Sequence, residues 1–177
     1  MAHETAGRAN DSDVYDTPLQ SIIATPLTDS LVNEIFQQQN NDGSFPATNR
    51  LGDLFNVDFE NIKRDLISKG LNPSISDEIL RLISTASILF YFLYHSQKTN
   101  FPVDINAIKQ FVSNARAELE SFCCKDDPIV QTYIDKGESA VKYVIDTREK
   151  YGDICSQINL SESTWESYVQ HLMGLDK

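Results

Sequence analysis

Cysteine is scarce and poorly spaced in this sequence. Of its three cysteines, Cys123 and Cys124 are adjacent and Cys155 stands alone, with no fourth thiol to complete a zinc knuckle or an even disulfide framework. The pattern implies a reducing, intracellular compartment and no structural metal. Basic residues are also few: 15 Lys plus Arg face 26 Asp plus Glu, for a net charge of −11. Phosphate contacts need clustered Lys and Arg, whereas the densest groupings, Lys63-Arg64 and Arg148/Lys150, sit among acids. Nucleic acid and anionic membrane surfaces are therefore poor partners. No sustained period-2 strand pattern occurs, and GxxxxGK[ST], GxGxxG, GxSxG and HExxH are all missing.

What is present is helical periodicity. The first 20 residues (MAHETAGRANDSDVYDTPLQ) contain one Arg, four acids and no apolar core region, so they read as a flexible acidic tail or linker, neither secretory signal nor transit peptide. Residues 21–177 read as one helical domain. Leu31, Val32, Ile35 and Phe36 form the face of a first helix starting near Thr28 and stopped by Asn40-Asn41-Asp42-Gly43, with Gly43 expected at positive φ. A short helix spans 48–55, and another carries Ile62, Leu66 and Ile67 and ends at Gly70. Ser76 reads as the N-cap of the longest apolar helix, Ile79 to about Tyr94, with Pro73 as the break before it. Ser84, Thr85 and Ser87 interrupt that run short of the about 20 residues of a membrane span, which makes it the buried centre of a bundle.

Two amphipathic helices follow, one from Ile105 through Leu119 and Phe122, the other from Ile129 through Ile145 with Glu138 and Lys142 paired one turn apart. After a loop over 151–160, Ser163-x-x-Glu166 reads as a capping box. It opens a last helix with Trp165, Tyr168, Val169, Leu172 and Met173 on one stripe, closed by Gly174. The expected fold is all-α: a single-domain bundle of six or seven helices around one buried central helix, with a short strand pair possible in the loops.

The inventory for chemistry is thin. His3 lies in the tail, His95 at the end of the central helix and His171 on the last one. Cys155 with His171 is the one combination that makes a thiol enzyme conceivable, although a free Cys between Ile154 and Ile158 reads more simply as packing. The Asn40–Ser44 segment has the flavour of a calcium loop, but an EF-hand with Gly43 sixth needs Asp and Glu where the chain has Gln38 and Asn49. No catalytic, cofactor-binding or metal-binding residue is expected.

Two motifs carry a family resemblance. Gln37-Gln38-Gln39-Asn40-Asn41-Asp42-Gly43-Ser44-Phe45, followed by Leu51-Gly52-Asp53-Leu54-Phe55-Asn56, resembles the "QQ-x-x-DGSW … L-x-x-L-L" signature in the C-terminal region of vault poly(ADP-ribose) polymerase and related von Willebrand A-type proteins. Tyr151-Gly152-Asp153-Ile154-Cys155, Trp165-Glu166-Ser167 and Leu172-Met173-Gly174-Leu175 are similar to that region's "YPSIC … DW-x-S … LLGL" ending. The likeness covers about residues 28–175. Phe45 stands in place of Trp and Gly152-Asp153 in place of Pro-Ser, and the stretch around Phe101–Lys125 does not align clearly.

The resemblance implies a non-catalytic protein-binding module that docks its parent or cargo to the major vault protein, in the cytoplasm inside the vault particle, and that is a monomer when free. It implies no cofactor. The alternatives are a structural C-terminal domain of a von Willebrand A-type protein without a vault role, and the Cys155/His171 enzyme. The density of apolar residues near the C-terminus makes Tyr151, Ile154, Trp165, Tyr168, Leu172 and Leu175 the expected partner-binding residues, as side chains left exposed.

Overall fold

The computed structural model describes residues 26–96, 100–121, 127–158, 160 and 162–176. The 1–20 tail, Phe122, Cys123 and Cys124 lie outside them. In chain order the helices are α1 (Asp29–Gln37), α2 (Asn49–Phe55), α3 (Phe59–Ser68), α4 (Pro73–Ser96), α5 (Ile105–Ser121), α6 (Pro128–Lys150), α7 (Ile154–Gln157) and α8 (Trp165–Met173). Seven of them have seven residues or more; α7 is a single turn inside the segment expected as a loop. No strand occurs among the described residues. The fold is an all-α bundle.

Local chemistry explains most of the ends. Thr28, Thr48 and Asp58 cap α1, α2 and α3 by accepting from the backbone N–H three residues on. Gly70 ends α3 at φ +103°, its N–H bonding Ile67 O while the Leu71 N–H reaches back to Leu66 O. Asp127 opens α6 by accepting from the N–H groups of Ile129 and Val130, with Pro128 at the first position, where its missing N–H costs nothing.

Three expectations about local structure need correction. The central helix starts at Pro73, six residues before Ile79: Asn72 Oδ1 accepts from Ser74 N (2.7 Å), and Ser76 lies buried inside the first turn, its N–H bonding Asn72 O. Pro73 opens this helix. At α8 the cap is Thr164, which accepts from Ser167 N (3.2 Å), because the Glu166 carboxylate that a capping box would use is occupied by Arg148. On α6, Glu138 pairs with Arg116 across from α5 and Lys142 with Asp146, so the two do not pair with each other.

Helix α4 is the axis of the molecule, packing on α2, α3, α5, α6 and α8. Fifteen of its 24 residues are buried. By length and composition it could cross a membrane, but 78% of its most apolar window is buried inside the bundle. The polar residues that interrupt its apolar run have assigned work. Ser87 Oγ bonds Ile83 O within the helix, while Ser84 and Thr85 receive the loop described next.

Candidate functional site

The Gln39–Phe45 segment folds as a tight loop wedged between α4 and α6. Asp42 Oδ1 accepts from the Ser44 N–H (3.0 Å) and the Ser44 hydroxyl (2.6 Å), and Asn40 N bonds Ser44 O (2.8 Å). Burial pushes the Asp42 carboxyl up, but the side-chain and backbone bonds from Ser44 outweigh it and hold the group below the ordinary Asp range. Asp42 Oδ1 is thus committed to the turn. Gly43 has φ +92°, as its place in the turn predicts.

Ser44 and Phe45 are fully buried. Phe45 N donates to Thr85 Oγ1 (2.9 Å), whose own hydroxyl donates to Arg81 O, and Ser84 Oγ donates to Pro46 O (3.0 Å). On the other side Gln39 Nε2 bridges Gly43 O (3.0 Å) and Lys136 O of α6 (2.9 Å), and Lys136 Nζ donates to Phe36 O (3.2 Å). The motif that carries the resemblance is therefore a joint that sets α1 against α6.

That joint shapes an open apolar groove of about 190 Å³ between α1, α4, α5 and α6. Leu27, Val32, Phe36, Phe92, Phe111 and Tyr133 line it among others. Phe36 stacks on Tyr133 (centroids 5.3 Å apart) and tilts against both Phe45 and Phe92. One turn before Tyr133 on α6, Ile129 is 62% exposed, so apolar surface continues past the end of the groove.

The C-terminal residues expected as an exposed patch are mostly core. Tyr151, Trp165, Tyr168 and Leu175 are buried, and Ile154 and Leu172 are half-buried against the core. The reason is the far side of α4, which needs a cover and receives α8. Trp165 Nε1 donates to Tyr151 O (2.8 Å), and Trp165 meets Tyr168 edge to face. Tyr151 OH donates to Glu78 Oε1 (2.6 Å), while Lys150 Nζ donates to Glu78 Oε2 (2.9 Å). The Tyr151 bond, set against burial and aided by Lys150, holds Glu78 below the ordinary Glu range.

Two contacts here lie outside the sequence expectations. Arg148 grips the buried Glu166 through two bonds of 2.7 and 2.9 Å. Gln170, also buried, accepts from Val103 N and donates to Val103 O, both at 2.7 Å, clamping the segment before α5 onto α8. A glutamine on an apolar face could have flagged the second; nothing local flagged the first.

The thiol reading fares badly on chemistry. Cys155 is fully buried, and burial, with Glu166 nearby, pushes its thiol up to about 12, so the nucleophilic thiolate is strongly disfavoured. His171 is exposed, with Nδ1 2.9 Å from Asp176 Oδ2. His95 is half-buried between Tyr91 and Tyr94, and burial lowers it from the ordinary His value. No protein-family model, curated protein or solved structure matches the chain.

Proposed function

We propose that this chain is a non-catalytic protein-binding module that docks its parent or cargo to the major vault protein, using the groove between α1 and α6 as the docking surface. The observation that supports the reading is the coupling of motif to surface. Gln39 to Phe45, which carry the resemblance, brace the two helices that wall the groove, and Phe45 packs on Phe36, which lines it. Aromatic side chains in a concave apolar site are the usual anchors of a protein interface. A net charge of −11 suits an apolar partner segment flanked by basic residues, whose encounter would be accelerated at low salt.

The test is binding of the intact chain to purified major vault protein, alongside Val32→Asp and Phe111→Asp, both half-buried groove residues. Circular dichroism checks that each variant folds. Binding by the intact chain, weakened about tenfold or more by each folded variant, is the expected result. No binding by the intact chain overturns the vault reading in favour of a structural von Willebrand A-type domain. Undiminished binding by both variants overturns the groove as its site.

A further inference from the structure

The backbone at the end of α8 brings together three potential metal ligands that are well separated in sequence. Gly174 takes a left-handed conformation (φ +75°), its N–H bonds His171 O (3.0 Å) and the Leu175 N–H bonds Gln170 O (2.9 Å). Leu175 is thereby turned into the core and is 7% exposed, which anchors the reversal of the chain. The reversal returns Asp176 alongside the last turn of α8, where its Oδ2 lies 2.9 Å from His171 Nδ1. Glu162, two residues before the Thr164 cap, completes the group from the other end of the same helix segment. One donor atom from each of Glu162, His171 and Asp176 lies within 4.8 Å of the other two.

We propose that Glu162, His171 and Asp176 form a zinc-binding site, independent of the docking groove. The donor set argues for the metal class. An imidazole nitrogen favours a divalent transition ion over calcium or magnesium, which take oxygen-only shells, and two carboxylates neutralise the ion's charge. The spacing argues for a single ion. Zinc bonds to nitrogen and oxygen of about 2.0–2.2 Å put ligand atoms on one ion about 3–3.5 Å apart. The His171–Asp176 pair stands near that separation already, and the half-buried Glu162 carboxylate, within 4.8 Å of both, has little farther to move.

His171 and Asp176 are held in place by the Gly174 turn and the buried Leu175, so little ordering remains to be done on binding. Three protein ligands leave a position open to water or to a donor from another molecule. The bound ion would tie the segment that precedes α8 to the turn that follows it. Residues 9 and 5 positions apart, drawn from a loop, a helix and a turn, match no metal-binding sequence pattern, which is why the sequence gives no sign of the site.

The experiment is calorimetric titration of the full chain with zinc, alongside Glu162→Gln, His171→Ala, Asp176→Asn and a Cys123→Ser/Cys124→Ser control. The expected result is one zinc per chain, affinity lowered about tenfold or more by each ligand variant, and affinity unchanged in the cysteine control. Titration with cobalt(II) gives a second readout: visible d–d bands without the near-ultraviolet charge-transfer band of a thiolate ligand. Circular dichroism without metal checks that the ligand variants fold, and the cobalt spectrum of the unaltered chain decides the matter if one does not. Absence of zinc binding, binding that survives the ligand variants, or a thiolate band each overturns the proposal.

Discussion

Gly43 approaches Ser139 so closely that a Cβ on Gly43 would stand 2.3 Å from the Ser139 carbonyl oxygen and 2.7 Å from its carbonyl carbon. The loop glycine and the α6 backbone are in direct contact, and the positive φ adds a second reason for glycine there. Gly43→Ala is expected to destabilise by more than about 3 kcal/mol, since neither neighbour is a side chain that can move aside. Gly70 has a similar φ of +103° but open space around its absent Cβ. Gly70→Ala should therefore cost only about 1 kcal/mol. Urea unfolding of the two variants separates conformational strain from collision, and equal losses would show that contact with α6 is unimportant.

Trp165→Ala should cost about 3–5 kcal/mol, because the indole is 2% exposed and its N–H is bonded to Tyr151 O. Trp165→Phe should fall between, since it keeps an aromatic ring but loses the indole N–H bond to the Tyr151 carbonyl, which retains the Ile154 N–H at 3.2 Å. A melting curve unchanged by the alanine variant would mean that the end of the bundle does not depend on this ring.

Breaking the Arg148–Glu166 pair with Glu166→Ala is expected to cost about 2–3 kcal/mol, as Glu166 is 6% exposed and both of its oxygens are bonded. The exposed Arg50–Glu34 pair has similar bidentate geometry but sits in water. Glu34→Ala should change stability far less than Glu166→Ala, and added salt should shrink that difference further. Thermal melts at low and high salt check both.

The Cys155 thiol, at about 12 against an ordinary value of 9.0, and the Tyr168 phenol, at about 12 against 10.0, both keep their protons in the folded chain to higher pH than in the unfolded one. Between about pH 9 and 12 the folded state therefore holds more protons, so the stabilisation is complete below that range and is lost as pH rises through it. Urea unfolding across the range should show declining stability, with a shallower decline in Cys155→Ala. Iodoacetamide at mildly alkaline pH should leave Cys155 unlabelled in the native chain, as read by peptide mass spectrometry, until denaturant is added. Fast native labelling would refute the burial argument.

Much of the fold was legible because its stops are chemical. Gly43, Gly70 and Gly174 all sit at positive φ, and each follows an apolar face at helical spacing. Misreadings arose where one residue type serves two roles. Pro73 after a glycine suits either a break or a first helical turn, and Ser163 and Thr164 compete for one cap, a contest decided by Arg148 from another helix.

The groove and the burial of the C-terminal aromatics were harder to read. Apolar density at Tyr151–Leu175 says that surface must be covered, but not whether another helix of the chain or another molecule covers it. That α8 lies on α4 is decided by long-range packing, to which Trp165 and Tyr168 contribute without any local mark. The groove is assembled from α1, α4, α5 and α6, whose facing residues share no spacing along the chain.

Helix α4 also has a consequence in time. Its last residue is Ser96, whereas α6 and α8, which pack on it, end at Lys150 and Met173. At a translation rate of about 5–20 residues per second, the apolar centre of the molecule exists for roughly 4–15 s before the last of its cover has been synthesised. For that interval the nascent chain presents a 24-residue helix that, by length and composition, is apolar enough to cross a membrane. The ribosome-bound intermediate is therefore the stage at which this chain most needs a chaperone, and the stage most sensitive to the speed at which its second half is translated.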